Sequence, residues 1–231
     1  MTGITVTECD KNMKKTYKAV IFDLDGTLIN SIPDIADSMN RILEKFGYPE
    51  YTYEQYRLFL GRGIRRLVEI CIPPEQANES NIDLIYNLMV EEYSDNCTEK
   101  TVVYDGIDNL LNRLSAKGVK LAVLSNKADS ITQKICRILF RSHRFEQILG
   151  ATEQFPRKPD PGSALYLAEQ IAVRPEDIFY LGDTGIDMET AQAAGFFPAG
   201  AAWGFRGSAE LANANACFIA SKPDDCMQFF P

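Results

Sequence analysis

Three short runs of β-branched and aromatic residues restrict what this chain can fold into, because each stops at a cluster of polar groups. They span residues 17–22 before Asp23, 119–124 before Ser125-Asn126, and 178–181 before Gly182-Asp183. A brief apolar run without alternation reads as a strand buried on both faces, the pattern of a parallel sheet. Segments at 147–150, 196–201 and 217–220 can extend that sheet, and apolar residues recur at helical spacing over 107–117, 130–139, 162–171 and 186–194. Such alternation predicts an α/β fold with a doubly wound parallel sheet. Ligands of these sheets bind beyond the carboxyl ends of the strands, which is where the polar clusters fall.

Residues 33–100 break the alternation. Ile35, Met39, Ile42, Leu43 and Phe46 recur at helical spacing, as do Leu84, Leu88 and Met89, and no strand pattern intervenes. Gly61-Arg62-Gly63 and Pro73-Pro74 punctuate the stretch, and the chain returns to the alternating pattern near Tyr104-Asp105-Gly106. The expected organisation is a core from residues 1–30 and 101–231 with an all-helical cap over 31–100.

With 231 residues and 45% hydrophobic content the chain has material for an ordinary buried core. A formal net charge of -8, with no Lys/Arg stripe interleaved with aromatics, argues against nucleic acid as a partner. No run is long and apolar enough to suggest a membrane span, and the polar start of the chain, with Lys14 and Lys15, does not read as a signal peptide. Cys9, Cys71, Cys97, Cys136, Cys217 and Cys226 lack paired metal-ligand spacing and are expected to be reduced, as in a cytoplasmic enzyme. The lone histidine, His143, lies in a basic loop with Arg141 and Arg144 and is expected at the surface.

The chemistry concentrates in Asp23-Leu24-Asp25-Gly26-Thr27. Residues i and i+2 of an extended chain project to one side, so Asp23 and Asp25 would share a small volume where the strand ends. Two adjacent anions persist there if a cation lies between them or one carboxyl keeps its proton, and both conditions suit phosphoryl chemistry. Gly26 permits a backbone conformation closed to other residues. The Thr27 hydroxyl can serve a phosphoryl group, orient Asp25 or simply cap the turn. Ser125 and Asn126 precede a helical pattern, where they can bind phosphate oxygens or act as helix caps.

Taken together, the clusters resemble the haloacid dehalogenase superfamily of phosphohydrolases, and most of the chain is covered. Asp23-Leu24-Asp25-Gly26-Thr27 looks like the first family motif, Ser125-Asn126 the second, Lys158-Pro159-Asp160-Pro161 the third, and Gly182-Asp183-Thr184 with Asp187 the fourth. The helical insertion resembles a cap of the C1 type, and the core is then Rossmann-like. Ser125-Asn126-Lys127, Arg157-Lys158-Pro159-Asp160-Pro161 and Ala202-Trp203-Gly204-Phe205-Arg206 are similar to the phosphoglycolate phosphatase subgroup. Asn30 departs from it, standing where the subgroup has an aspartate.

The resemblance implies a nucleophile in Asp23, with an aspartyl-phosphate intermediate, and a general acid and base in Asp25. It implies a Mg²⁺ site from Asp23, the main-chain carbonyl of Asp25 and Asp183. Asp187 would bind the metal directly or through water, or cap the following helix. Lys158 would offset negative charge around Asp23 and the phosphoryl group. Arg62 is the candidate for pairing with an anionic leaving group, against the alternative of a solvated arginine face shared with Arg65 and Arg66. Trp203 is expected to pack at the core edge.

The expected activity is Mg²⁺-dependent hydrolysis of a small anionic phosphorylated metabolite, foremost 2-phosphoglycolate. The alternatives are a pyrophosphatase, a broad sugar-phosphate phosphatase, a phosphomutase and a non-catalytic binding protein. Monomer and homodimer are equally compatible with the sequence.

Overall fold

The structure is a computed structural model and describes residues 15–231, so that Cys9 and most of the polar N-terminal stretch lie outside it. The described residues form two compact units, one from residues 15–29 and 103–231 and the other from 30–102.

The first unit is an α/β layer structure around a six-stranded parallel sheet ordered β5-β4-β1-β6-β7-β8. Its strands are β1 (Ala19–Phe22), β4 (Lys120–Ala128), β5 (Gln147–Ala151), β6 (Ile178–Gly182), β7 (Phe197–Ala201) and β8 (Phe218–Ala220). Two short strands outside this sheet, β2 (Ile29–Asn30) and β3 (Val102–Val103), pair with each other where the chain passes from one unit to the other. Every residue of β1 and β6 is buried, as strands covered on both faces require. Alternation sends Ala19 and Ile21 to one face, where they join Tyr180, Ala164, Leu167, Ala191 and Phe196 in an apolar core. Rings fill another part of the core, with Tyr17, Phe179, Phe197 and Phe229 at centroid separations of 5.1–6.1 Å.

Helices follow the strands: α5 (Ile107–Ala116), α6 (Asp129–Leu139), α7 (Gly162–Gln170), α8 (Gly185–Ala194) and α9 (Gly207–Asn213). The helix α8 starts in a capping box, with the Thr184 hydroxyl and the Asp187 carboxylate each taking the other's backbone N–H. The strand β4 continues through Ser125, Asn126 and Lys127 to Ala128, so those residues lie in the end of a strand and α6 begins only at Asp129. A register shift between Leu124 and Ala128 separates them from the regular ladder with β5.

The second unit contains α1 (Ile32–Lys45), α2 (Tyr53–Phe59), α3 (Ile64–Cys71) and α4 (Glu79–Asn96). In α1 the buried stripe includes Ile35, Met39, Ile42 and Leu43. In α4 it is Ile82, Ile85, Met89 and Tyr93, whereas Leu84, which shares the helical spacing, is exposed. A buried carboxylate, Asp34, accepts the backbone N–H groups of Lys100 and Thr101, both at 2.8 Å, and ties the end of this unit to its first helix. Asn30 accepts the backbone N–H of Ile32 at 3.3 Å.

Two expectations need correction. Cys71, Cys97, Cys136 and Cys226 are buried thiols, but Cys217 is disulfide-bonded rather than reduced. The His143 side chain is only 4% exposed, because its ring lies against Phe140 and its Nε2 is 2.9 Å from Asp108. No helix among the described residues is long and apolar enough to cross a membrane.

Candidate active site

The site is built from the loops that leave β1 and β6 and from the end of strand β4, together with the loop that carries Lys158 to α7. Asp23 follows the last residue of β1, and its N–H bonds the carbonyl of Leu181 at 2.9 Å, fixing it beside the end of β6. The chain then turns sharply: Gly26 has φ +89°, and the N–H groups of Thr27, Leu28 and Ile29 all point at the Leu24 carbonyl. A Cβ on Gly26 would overlap the Asp183 carboxylate. Only glycine therefore gives both the conformation and the close approach.

Lys158 organises the interior. Its buried ammonium reaches Asp23 Oδ1 at 2.7 Å, Asp187 Oδ1 at 2.6 Å, and the Leu124 carbonyl and Tyr180 hydroxyl at 3.2 Å each. Asn126 holds its backbone, donating to the Lys158 carbonyl at 3.1 Å and accepting the Lys158 N–H at 2.9 Å. A side chain read from sequence as a phosphate ligand or helix cap thus fixes the loop that carries the lysine. The Asp187 carboxylate is surrounded by donors: Lys158 and Tyr180 on Oδ1, the Thr184 N–H and hydroxyl on Oδ2.

Asp23, Asp183 and Asp187 are all buried, and each offers an oxygen within 4.8 Å of the others. If all three are ionised, one ammonium leaves an excess of two negative charges. The electrostatics follow from this. Burial pushes the Asp23 carboxyl up to about 7 against the pull of Lys158, with Asp187 and Asp25 pushing it further. Burial, reinforced by Asp23 and Asp187, holds the Asp183 carboxyl well above the usual carboxylate range. Burial also works against the Lys158 ammonium, but Asp187 and Asp23 outweigh it and keep the lysine charged.

These residues fit a divalent cation. Asp183 Oδ2 accepts the N–H of Phe205 at 2.7 Å, while Oδ1 is buried with no hydrogen-bond partner, a costly arrangement that a hard cation would relieve. With its oxygens engaged by protein donors, Asp187 is suited to holding Lys158 in place, and Asp23 and Asp183 are the better direct ligands.

Asp25 is partly exposed and ion-pairs with Lys127 at 2.9 Å. Lys127 has no role in the sequence reading, yet it is 6% exposed, and a lysine so buried requires a partner. Its position at the end of a central strand, beside Ser125-Asn126, was the available signal. The hydroxyl of Ser125 is turned inward, accepting the Lys127 N–H at 3.2 Å. The Thr27 hydroxyl is buried without a partner, while its carbonyl takes the indole N–H of Trp203 at 3.0 Å. Trp203 thus does more than pack an edge. Arg62 belongs to the helical unit, exposed between Gly61 and Gly63, both at positive φ. Its neighbours are committed elsewhere, Arg65 to Glu79 and Asp83 and Arg66 to Glu69.

The haloacid dehalogenase-like hydrolase family model matches residues 20–201, which include Asp23, Asp25, Ser125, Asn126, Lys158, Asp183 and Asp187. The chain belongs to that family. It is 33% identical over 211 residues to the phosphoglycolate phosphatase of Aquifex aeolicus, covering 91% of this chain and 95% of that one. The same fold occurs in a solved structure from Lactobacillus delbrueckii subsp. bulgaricus, with a TM-score of 0.86 and 28% identity over 91% of this chain and 97% of that one. A hydrolase of this family from Streptococcus pneumoniae has a TM-score of 0.83 and 26% identity, covering 93% and 99%.

Proposed function

We propose that this member of the haloacid dehalogenase-like hydrolases is a Mg²⁺-dependent phosphomonoester phosphatase acting on a small anionic metabolite, with 2-phosphoglycolate the leading substrate. The observation that carries the reading is Asp23 itself: a carboxylate at a strand end, one oxygen held by a buried lysine, beside the donor-less oxygen of Asp183.

In this mechanism Asp23 attacks phosphorus through the oxygen that Lys158 does not hold. The bond from phosphorus to the leaving oxygen breaks and an aspartyl-phosphate forms, while Asp25, protonated and released from its ion pair with Lys127 once substrate is bound, donates that proton to the leaving oxygen. Asp25, now a carboxylate, takes a proton from water as that water attacks phosphorus, releasing inorganic phosphate and restoring Asp23. Lys158 favours the ionised form of Asp23 against burial and offsets the charge of the transferring group. Asp23, Asp183 and the main-chain carbonyl of Asp25 would hold Mg²⁺, with Asp187 behind them. Bound there, the ion would neutralise phosphate charge as a Lewis acid. Ser125 and Thr27 are the candidate hydroxyls for the phosphoryl oxygens, and Arg62 is the candidate cation for a leaving-group carboxylate. The name borne by the Aquifex aeolicus relative supports glycolate as that leaving group.

Phosphate release from a panel of phosphomonoesters and pyrophosphate, with Mg²⁺ and with chelator, tests the reading. The expected profile is a Mg²⁺-dependent preference for 2-phosphoglycolate in kcat/KM, lost in Asp23→Asn with the fold retained. Wild-type turnover by that variant would remove Asp23 as nucleophile, and a flat substrate profile would remove glycolate as the specific leaving group.

A further inference from the structure

We propose that the segment 202–206 after β7 is a positioning clamp that sets the cation-binding geometry of Asp183 and ties it to the turn after Asp23. The inference rests on the reading of Asp183 as a cation ligand.

Three consecutive residues make separate contacts with the site. The indole N–H of Trp203 donates to the Thr27 carbonyl, fixing the turn that carries Asp25 and Gly26. Gly204 is buried against Asp183: a Cβ there would overlap the Asp183 side chain and the Gly26 carbonyl at once. The N–H of Phe205 occupies Asp183 Oδ2, leaving Oδ1 as the oxygen with no protein donor. The segment is anchored at its base, since the Ala202 N–H bonds the Ala220 carbonyl at 2.9 Å and the Gly204 N–H the Ala201 carbonyl at 3.2 Å. A carboxylate with one oxygen held by a rigid amide and the other unsatisfied is pre-oriented for a cation. Outer contacts of this kind fix ligand direction and typically change metal affinity by about 10–100-fold when removed.

Trp203 is the chain's one tryptophan, so its emission reports directly on this clamp. The experiment measures the Mn²⁺ dissociation constant of the metal-free chain by electron paramagnetic resonance of the unbound ion. Far-UV circular dichroism and urea unfolding are recorded on the same samples, and Trp203 emission is followed during the titration. The expected result is a change in Trp203 emission as wild type binds Mn²⁺, and binding at least about tenfold weaker in Gly204→Ala. Trp203→Phe, which keeps an aromatic ring and loses the donor, should bind about tenfold more weakly with its urea midpoint unchanged, a split that a purely structural role would not produce. If Gly204→Ala does not fold, Trp203→Phe decides. Wild-type affinity in a folded Gly204→Ala, or in Trp203→Phe where that variant decides, overturns the clamp and leaves the metal reading standing. Failure of wild type to bind Mn²⁺ overturns both.

Discussion

Replacing Lys158 with methionine probes the charge balance of the site, because the change preserves an unbranched chain of similar length and removes the ammonium. In wild type that ammonium is 2.7 Å from Asp23 and 2.6 Å from Asp187, with Asp183 in the same cluster. Removing one partner of a buried ion pair costs about 3–5 kcal/mol, since it strands an unpaired charge, and here two carboxylates lose the same partner. The folded variant can relieve the cost by taking up a proton that wild type does not hold, and the unfolded chains differ little in proton uptake. Its stability therefore falls faster than that of wild type as pH rises. Each additional proton held is worth about 1.4 kcal/mol per pH unit, so going from pH 8 to pH 6 should recover up to about 2.7 kcal/mol of the loss. Urea unfolding in chelator at both pH values, followed by circular dichroism, gives the two differences from wild type. A loss below about 1 kcal/mol at pH 8, or a loss of the same size at both values, would refute the charge-cluster reasoning.

Other outcomes follow from the same physics. The Asp23 carboxyl is pushed up to about 7 in the folded chain, above its unfolded value, so the folded state holds a proton that the unfolded chain releases. In chelator the stability should fall as pH rises from about 4 to about 7, and added Mg²⁺ should stabilise the chain more at pH 8 than at pH 5; equal stabilisation at both would contradict this. Asp34→Ala strands two backbone N–H groups and should lower urea stability by about 2–4 kcal/mol, with a loss under about 1 kcal/mol counting against it. Burial pushes the Cys71 and Cys136 thiols up to about 12, so neither should react with dithionitrobenzoate at pH 8 until the chain unfolds, as mass mapping of the labelled residues would report.

The sheet was readable from the sequence because its inner strands are covered on both faces and so appear as uninterrupted apolar runs, such as Ala19–Phe22 and Ile178–Gly182. The end of β4 was not readable. Its backbone pairing resumes at Ala128 opposite Ala151, and ladder hydrogen bonds do not depend on the polarity of Ser125 or Asn126. In α4 the apolar residues support two overlapping helical stripes, and the choice of Ile82, Ile85, Met89 and Tyr93 over Leu84 is made by packing against α1 and α3, which lies outside the helix's own pattern. Within the site, spacing alone suggested the placement of Asp23 and Asp25. The partners of Lys158 and Lys127 come from residues far apart in the chain, and a lysine's default reading is a solvated one. Asp187 was legible as a residue one helical turn beyond Asp183. The four donors that engage its carboxylate became visible only in the folded arrangement.

The place of β1 at the middle of the sheet also governs how the protein can be made. This strand is synthesised before both of its neighbours, β4, opposite it from Lys120, and β6, opposite it from Ile178. At roughly 5–20 residues per second, the second of these arrives on the order of ten seconds later. During that interval residues 30–102 are already available to form their own compact unit, while Ala19–Phe22 offers unpaired backbone and apolar side chains to whatever is nearby. Pairing so distant in sequence carries a loop-closure cost before it brings any reward, which slows folding. The strand that carries Asp23 is therefore one that stays without its sheet partners for most of the time the chain takes to be made.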